Sequence, residues 1–255
     1  MNTFRLALSQ IRYLNRSYWR NPMAAFFTFV MPLMFLVILA AMLGHYRVHV
    51  GSRVFDQSTY YVGMMATWGV ISTCYNNIAV AVAAQRHYGL LKRTRGTPMP
   101  PVAYFAAKVI HAVLIGGLLV VITAAFGSIA YHASIPSGAN LLSFAVAFCV
   151  GAACFSSLAF AVTAVIPNAD AAPAVVGATI FPLLFASGVF IPLGNSSPPW
   201  IVWIAKVFPV SHFGTSMQAA FLGTRFYWSD ILILAIWTVG GLIAATKFFR
   251  WEPRR

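Results

Sequence analysis

Residues 106–131 read AAKVIHAVLIGGLLVVITAAFGSIAY, with Lys108 as the only formally charged side chain. A helix that crosses the hydrocarbon core of a bilayer needs about 20 predominantly apolar residues, and this run exceeds that length. Five further apolar runs are residues 24–43, 60–84, 141–166, 173–190 and 231–249. The sequence therefore predicts an all-α membrane protein, with six transmembrane helices in a single transmembrane domain, residues 1–255.

Composition excludes a water-soluble fold for this chain. Of its 255 residues, 60% are hydrophobic and 8% are charged, whereas soluble domains carry about 25% charged residues. The formal net charge is +13, and the basic residues stand between the apolar runs. This placement is typical of a protein oriented against anionic lipid, and the chain offers no soluble basic face for nucleic acid.

The distribution of lysine and arginine predicts the orientation in the membrane, because these residues concentrate in cytoplasmic loops. The N-terminal segment, the loop after the second predicted span and the C-terminal tail share one side and hold all but four of the 17 basic residues. Both termini are therefore predicted to be cytoplasmic, in a multi-pass protein of the plasma or inner membrane. The four basic residues of the other side are Arg47, Arg53, Lys206 and Arg225.

Residues 1–21 are predicted to form an amphipathic helix at the membrane interface. At 100° per residue, their arginines share one face and their apolar side chains the opposite face. Such helices lie in the interface with the basic face toward lipid headgroups. A basic segment followed by an apolar run is also typical of a signal peptide. However, residues 24–43 exceed a typical signal-peptide core in length, so we expect them to be retained as the first span. The arginines are Arg5, Arg12, Arg16 and Arg20.

Residues 191–212 follow the fifth predicted span and hold several prolines together with Trp200 and Trp203. Proline removes a backbone donor and disrupts a helix interior, so this segment is not predicted to cross the membrane as a straight helix. Irregular backbone at membrane depth needs protein or water to satisfy its polar groups. We therefore expect a re-entrant extracellular hairpin between the fifth and sixth helices.

Residues 85–101 continue the second span into a short basic stretch that ends at Gly96, before several prolines. Leu90 and Leu91 stand beside basic side chains there, which suits docking into a groove on a soluble partner. A loop that is basic only because it faces the cytoplasm has the same composition. The residues alone leave both interpretations open.

Two motifs, taken together, resemble a known family over nearly the whole chain. The first is GLLKR at residues 89–93, followed by TP at 97–98. The second is SGVFIPL at residues 187–193, with PPW at 198–200 and FPVSH at 208–212. The chain is similar to the type-2 permease subunits of ATP-binding-cassette exporters, which include drug, antibiotic and polysaccharide exporters.

This resemblance implies that residues 85–101 hold a coupling helix that rests on an ATPase subunit. Members of the family usually carry acidic residues just before the glycine, where this chain has Gln85 and His87. Coupling would therefore rest on basic side chains, and the implied coupling residues are Arg86, Gly89, Leu90, Leu91, Lys92, Arg93 and Arg95. The segment after the fifth span is implied to cap the exit, with Phe190, Pro192, Pro198, Trp200 and Pro209 as gate residues.

Polar residues in the second and fifth spans have two interpretations. Asn76 and Asn77 would ordinarily make hydrogen bonds between helices, as polar side chains in spans often do. The resemblance implies instead that these two helices line the substrate path, with Asn76, Asn77, Phe181 and Phe185 as lining residues. Pro182 is expected to kink the fifth helix, and Asp170 is expected to cap its N-terminus.

No pattern in the chain predicts catalysis. The G-x-x-x-x-G-K-[ST] loop that cradles nucleotide phosphates is missing, and the four acidic residues provide no carboxylate pair for acid–base chemistry. We expect no catalytic residue and no cofactor on this chain, with ATP and magnesium bound by the partner subunit. His45 and His49 have a spacing that binds metal on a helix, but we expect an outer loop there and predict no metal site. Cys74, Cys149 and Cys154 are expected to be small buried packing residues.

The resemblance implies a transport subunit without its own ATPase site, which exports amphipathic small molecules such as a drug, an antibiotic or a lipid. The implied partners are a nucleotide-binding ATPase subunit, a second permease copy or a paralogous permease, and membrane lipids. Export of a lipid-linked polysaccharide or glycolipid is the alternative. A secondary transporter is less favoured because no acidic residue lies inside a predicted span.

Overall fold

The computed structural model describes residues 3–43, 47–50, 53–96, 100–190, 197–249 and 251. Its described residues are almost entirely helical, as predicted. Eleven α-helices, one π-helical segment and one two-stranded hairpin follow in order: α1 Thr3–Trp19, α2 Pro22–Leu43, β1 Arg47–Val50, β2 Arg53–Asp56, α3 Gln57–Ile71, the π-helical segment Ser72–Asn77, α4 Ile78–His87, α5 Leu90–Arg95, α6 Pro101–Tyr131, α7 Ala139–Val162, α8 Ala172–Ala186, α9 Pro199–Val207, α10 Pro209–Leu222 and α11 Trp228–Phe248.

Among the described residues, four helices are long and apolar enough to cross a membrane, namely α2, α6, α7 and α11. Each overlaps one predicted span. The second predicted span corresponds to α3 and α4, which the π-helical segment joins. The fifth corresponds to α8, which is apolar but has only 15 residues. The count of six spans therefore stays a prediction.

The third predicted span begins earlier than its hydropathy indicates. Helix α6 starts at Pro101. The fixed φ of proline suits the first turn of a helix, where its missing N–H removes no hydrogen bond within the helix. Lys108, at the start of the third predicted span, consequently lies two turns inside α6 and is buried.

Helix α3 is the centre of the bundle. Almost all of its residues are buried, because α2, α6 and α10 surround it. A helix that is apolar all round is expected at such a position. A glycine brings α6 close to the π-helical segment that follows α3. A Cβ on Gly116 would stand 2.7 Å from the Thr73 hydroxyl. Close backbone approach through glycine is the usual way in which membrane helices pack.

Helix α1 covers most of the segment predicted as an interfacial helix, and Arg5, Arg12 and Arg16 within it and Arg20 just after it are exposed. Its other face packs on α6, where the rings of Tyr18 and His111 meet edge to face at 5.7 Å. After α2, β1 and β2 pair antiparallel, with Arg47 opposite Asp56. His45 and the side chain of His49 lie outside the described residues.

Two local expectations are wrong. Asp170 does not cap α8: the cap residue is Ala171, without a side-chain bond, and the Asn168 side chain accepts the N–H of Ala171 at 2.8 Å. The Asn168 amide, two residues earlier in this turn, thus takes the role predicted for the carboxylate. Cys149 is exposed, whereas Cys74 and Cys154 are buried as expected.

Candidate functional site

A cleft of about 760 Å³ opens between α1, α2, α6, α8 and the helical segment that runs from α3 to α4. The π-helical segment forms one wall of the cleft. Another wall is part of α2, which has Pro32 in its interior. Its lining is mostly apolar, with amide, imidazole and ammonium groups at a few positions. The polar lining side chains are Ser17, Tyr18, Asn21, Thr28, Ser72, Thr73, Asn76, Asn77, Gln85, Lys108 and His111.

Three of the four predicted path residues line this cleft. Asn76 and Asn77 end the π-helical segment and are half-buried, and Phe181 of α8 faces them from another wall. Phe185 is not among the lining residues; its ring lies 5.0 Å from that of Phe190. The segments predicted to line a path, the second and fifth, are therefore two walls of one cavity.

The π-helical segment is tied to its neighbours by side-chain hydroxyls. Tyr75 and Thr179 of α8 share a hydrogen bond of 2.7 Å, and Thr179 also donates to the Val176 carbonyl. Tyr75 is therefore the donor to Thr179. Thr73 bonds back to the carbonyls of Gly69 and Val70, which satisfies backbone acceptors that the wider turn leaves without a regular α-helical partner.

An aromatic cluster closes one end of the cleft. Trp68, which lines the cavity, lies 5.0 Å from Phe35 and 5.4 Å from Phe190 between ring centroids. Phe190, one of the predicted gate residues, is only 5% exposed. The Tyr60 hydroxyl donates to the Gly188 carbonyl at 2.7 Å, so the chain after α8 is held against α3.

The other gate residues lie around α9 and α10. Pro198 precedes α9, Trp200 is exposed in its first turn, and Pro209 starts α10 and is buried. Pro192 lies outside the described residues. Helix α10 is buried along most of its length, so the predicted hairpin, which ends at residue 212, leads into a buried helix, whereas Ala205 is the one buried residue of α9.

Lys108 is a buried cation at the opposite end of the cleft. It was not among the predicted site residues. The Lys108 ammonium stands 5.2 Å from the centre of the Tyr104 ring, and the Tyr104 hydroxyl donates to the Gln85 side chain at 2.6 Å. A lysine inside an otherwise apolar run is a detectable signal, because charge in a span usually faces a path or a partner.

The predicted coupling segment folds into the short helix α5. Gly89 has φ +71°, a conformation that residues with a side chain rarely adopt, and it turns the chain between α4 and α5. Leu91 is buried, whereas Leu90, Lys92 and Arg93 are exposed. Helix α5 thus holds one leucine inward and presents a second leucine with two cations outward. The side chain of Arg95 lies outside the described residues.

Arg86, also predicted as a coupling residue, points inward. It is 2% exposed and donates to the Thr163 carbonyl at 2.7 Å and to the Ile166 carbonyl. These carbonyls follow the end of α7, where the partial negative charge of the helix dipole favours a cation. Arg86 therefore anchors the end of α4 to α7 and positions α5.

His212, the last residue of the FPVSH motif, has a structural role. His212 Nδ1 contacts the Asp230 carboxylate at 2.8 Å, and Nε2 contacts the Lys206 carbonyl at 2.9 Å. Thr215 donates to the second oxygen of Asp230 at 2.9 Å. The hydrogen bond that His212 donates to the Asp230 carboxylate raises the pKa of His212, and the contacts join α9, α10 and α11.

Comparison with known proteins places these features in a family. A family model described as an ABC-2 type transporter matches residues 7–222, which includes the cleft, α5 and α10. A comparison with curated proteins finds no match. No cluster of three or more potential metal ligands occurs within the described part of the chain.

Proposed function

Because the chain belongs to the ABC-2 type transporter family, we propose that it is the membrane-spanning permease subunit of an ATP-driven exporter. The family implies an ATP-binding partner subunit, and this chain is the membrane component. In the proposed complex, two copies, or one copy and a paralogous permease, pair with two nucleotide-binding subunits that hold ATP and magnesium. Closed dimers are the commonest symmetric assemblies.

Helix α5 is the observation that carries the proposal. An exposed surface of Leu90, Lys92 and Arg93 stands at the end of α4, and α4 continues through the π-helical segment into the wall of the cleft. A displacement of α5 by a partner therefore acts on the cleft through one helical segment. Arg86 restricts the movement of α4 because its hydrogen bond joins α4 to the end of α7.

The proposed topology keeps six crossings with both termini cytoplasmic. The segment from α3 to α4 is the second crossing and α8 the fifth, while α9 and α10 form the re-entrant extracellular element. Two features support this arrangement: the exposed arginines of α1 and the exposed cations of α5 fall on the same predicted side.

Amphipathic small molecules are the proposed substrates, because the cleft joins a mostly apolar lining to a few polar groups. A long polysaccharide would need a wide polar channel, so the alternative of polysaccharide or glycolipid export is less well supported. A secondary transporter is disfavoured as well, because no carboxylate is among the described residues that line the cleft. Ion-coupled transport usually relies on such groups.

The coupling proposal is testable by reversing charge on the exposed face of α5. The chain is reconstituted in proteoliposomes with the ATPase subunit that co-purifies with it, and ATP hydrolysis is measured. The double variant Lys92→Glu, Arg93→Glu should lower the stimulated rate at least about fivefold, because interfacial charge reversal opposes docking. Lys247→Glu, an exposed lysine at the end of α11, is the matched control and should hydrolyse ATP at the wild-type rate.

Equal stimulation by the wild type and the double variant would refute docking through α5. A loss of stimulation in the Lys247→Glu control of the same size would also refute it, because general charge rather than this helix would then control the complex.

A further inference from the structure

Lys108 is the most unusual charge in the bundle. It lies within α6, is 5% exposed and lines the cleft. No carboxylate of the described residues lies within ion-pairing distance of its ammonium. The Tyr104 ring attracts the cation, but a ring face does not neutralise a charge. A buried lysine without an anion is costly, which indicates that an anion comes from elsewhere.

Other polar side chains line the cleft near Lys108. His111 follows one helical turn later on the same face of α6 and also lines the cleft. Its Nε2 is buried and has no hydrogen-bond partner among the described residues. The Gln85 amide lines the cleft beside them. Lysine, imidazole and amide groups together supply several donors to one anionic group.

Much of the remaining lining of the cleft is apolar. Beyond the polar end, its lining includes Met31, Ile71, Ile115, Ile180 and Leu184. Lys108 lies about 10 Å along the axis from the first residue of α6, at 1.5 Å per residue. The proposed topology places the start of α6 at the cytoplasmic surface. Lys108 then lies at the depth where the headgroup of a lipid-like molecule meets its hydrocarbon chain.

We propose that this cleft binds an anionic amphiphile, with a phosphate or carboxylate headgroup against Lys108 and His111 and its hydrocarbon portion against the apolar walls. The inference rests on the proposed function and narrows its substrate class to molecules that carry both parts. A second copy of this chain is a weaker occupant, because its four acidic residues all lie outside the predicted spans and Asp230 is already bonded to His212.

Three probes separate the contributions of charge and chain. Decyl phosphate carries both parts, decanol only the chain, and inorganic phosphate only the anion. Binding to the purified full-length chain in detergent is followed by the shift in melting temperature and by tryptophan fluorescence, since Trp68 lines the cleft. Decyl phosphate should bind at least about tenfold more tightly than decanol, a difference of one buried ionic contact. Inorganic phosphate should bind too weakly to measure.

Variants assign the anion site to Lys108. Lys108→Gln should weaken decyl phosphate binding about tenfold and leave decanol binding unchanged, whereas Lys108→Arg should keep most of the preference for decyl phosphate. The arginine variant retains the charge and provides the test even where the glutamine variant does not fold. Lys247→Gln is the matched control, and Glu252→Gln removes a carboxylate that lies outside the described residues.

Four outcomes would overturn the proposal. These are equal affinities for decyl phosphate and decanol, unchanged affinity in Lys108→Gln, measurable binding of inorganic phosphate alone, and tighter binding of decyl phosphate by Glu252→Gln, which would show that Glu252 already neutralises Lys108. A change of oligomeric state in Lys108→Gln without any probe binding to the wild type would assign the lysine to a subunit contact instead. No ATPase subunit is present in these assays, so their failure is distinguishable from failure of the coupling experiment.

Discussion

Arg86 and Arg93 belong to one basic stretch of sequence and have opposite surroundings. Arg93 is exposed on α5, where water solvates its charge. Arg86 is buried and donates to two carbonyls beyond the end of α7. A guanidinium suits this position because its planar fork reaches both acceptors at once, and because helix C-termini favour cations.

Removing the Arg86 guanidinium should destabilise the protein. Arg86→Gln takes charged donors away from the Thr163 and Ile166 carbonyls, and bonds of this kind contribute about 2 kcal/mol. We expect a lower melting temperature in detergent, measured by tryptophan fluorescence, together with weaker ATPase stimulation in the reconstituted complex. Arg93→Gln should keep the wild-type melting temperature, since its side chain is exposed. A stable Arg86→Gln protein would mean that these two carbonyls do not depend on the guanidinium.

At the scale of elements, α7 and α11 form the most extensive helix pair of the bundle. The contact depends on Gly241, where a Cβ would stand 3.1 Å from the Leu158 backbone nitrogen. Backbone cannot move aside as a flexible side chain can. The neighbouring Gly240 faces open space, so the two glycines differ in contact while sharing one sequence context.

Adding one methyl group to each glycine should therefore give different results. Gly241→Ala is expected to destabilise the protein by about 2 kcal/mol, the usual size of an overpacking effect. Gly240→Ala should be neutral or slightly stabilising, because alanine is the better helix former. Thermal unfolding of the two variants in the same detergent checks this difference. Similar melting temperatures for both would contradict the tight α7–α11 contact.

His212 connects α9, α10 and α11, and its protonation should make their association depend on pH. The hydrogen bond that His212 donates to the Asp230 carboxylate raises the pKa of His212. The stabilisation is therefore fully present below the unfolded-state value of about 6.5, and it is lost as pH rises through the higher folded-state pKa. We expect the melting temperature of the wild type to fall, relative to that of Asp230→Asn, as the pH rises from about 6.5 through the folded-state pKa of His212.

The same series distinguishes the ion pair from general effects of pH. His212→Gln should show the flatter profile of Asp230→Asn, because either change removes the linked proton. Parallel profiles for all three proteins would show that the His212–Asp230 contact carries no pH-dependent stability.

At the scale of the whole molecule, long apolar runs predicted most helices closely. Residues 141–166 correspond to α7, Ala139–Val162, and residues 231–249 to α11, Trp228–Phe248. Such runs are informative because burial in lipid demands both apolar composition and sufficient length. The family resemblance implied a helix within residues 85–101, and α5, Leu90–Arg95, lies there.

Features that depend on distant partners were not predictable in this way. Arg86 looks like a cytoplasmic coupling residue until its acceptors, 77 and 80 residues away, are known. Lys108 stands near the start of the predicted span 106–131, and only the fold shows that α6 begins at Pro101 and buries this lysine against the cleft. The π-helical segment has no local composition that separates it from an α-helix, so only its hydrogen bonds identify it.

That segment also determines the direction in which α4 faces. A turn that closes on residue i+5 takes up one residue more than an α-turn, and one residue corresponds to 100° of rotation about the axis. Without the wide turn, everything after Asn77 would be rotated by about that angle. Arg86 would then point away from α7, and α5 would leave the bundle on another side. One additional residue in the wall of the cleft thus determines the direction in which the exposed face of α5, the proposed ATPase-binding surface, points.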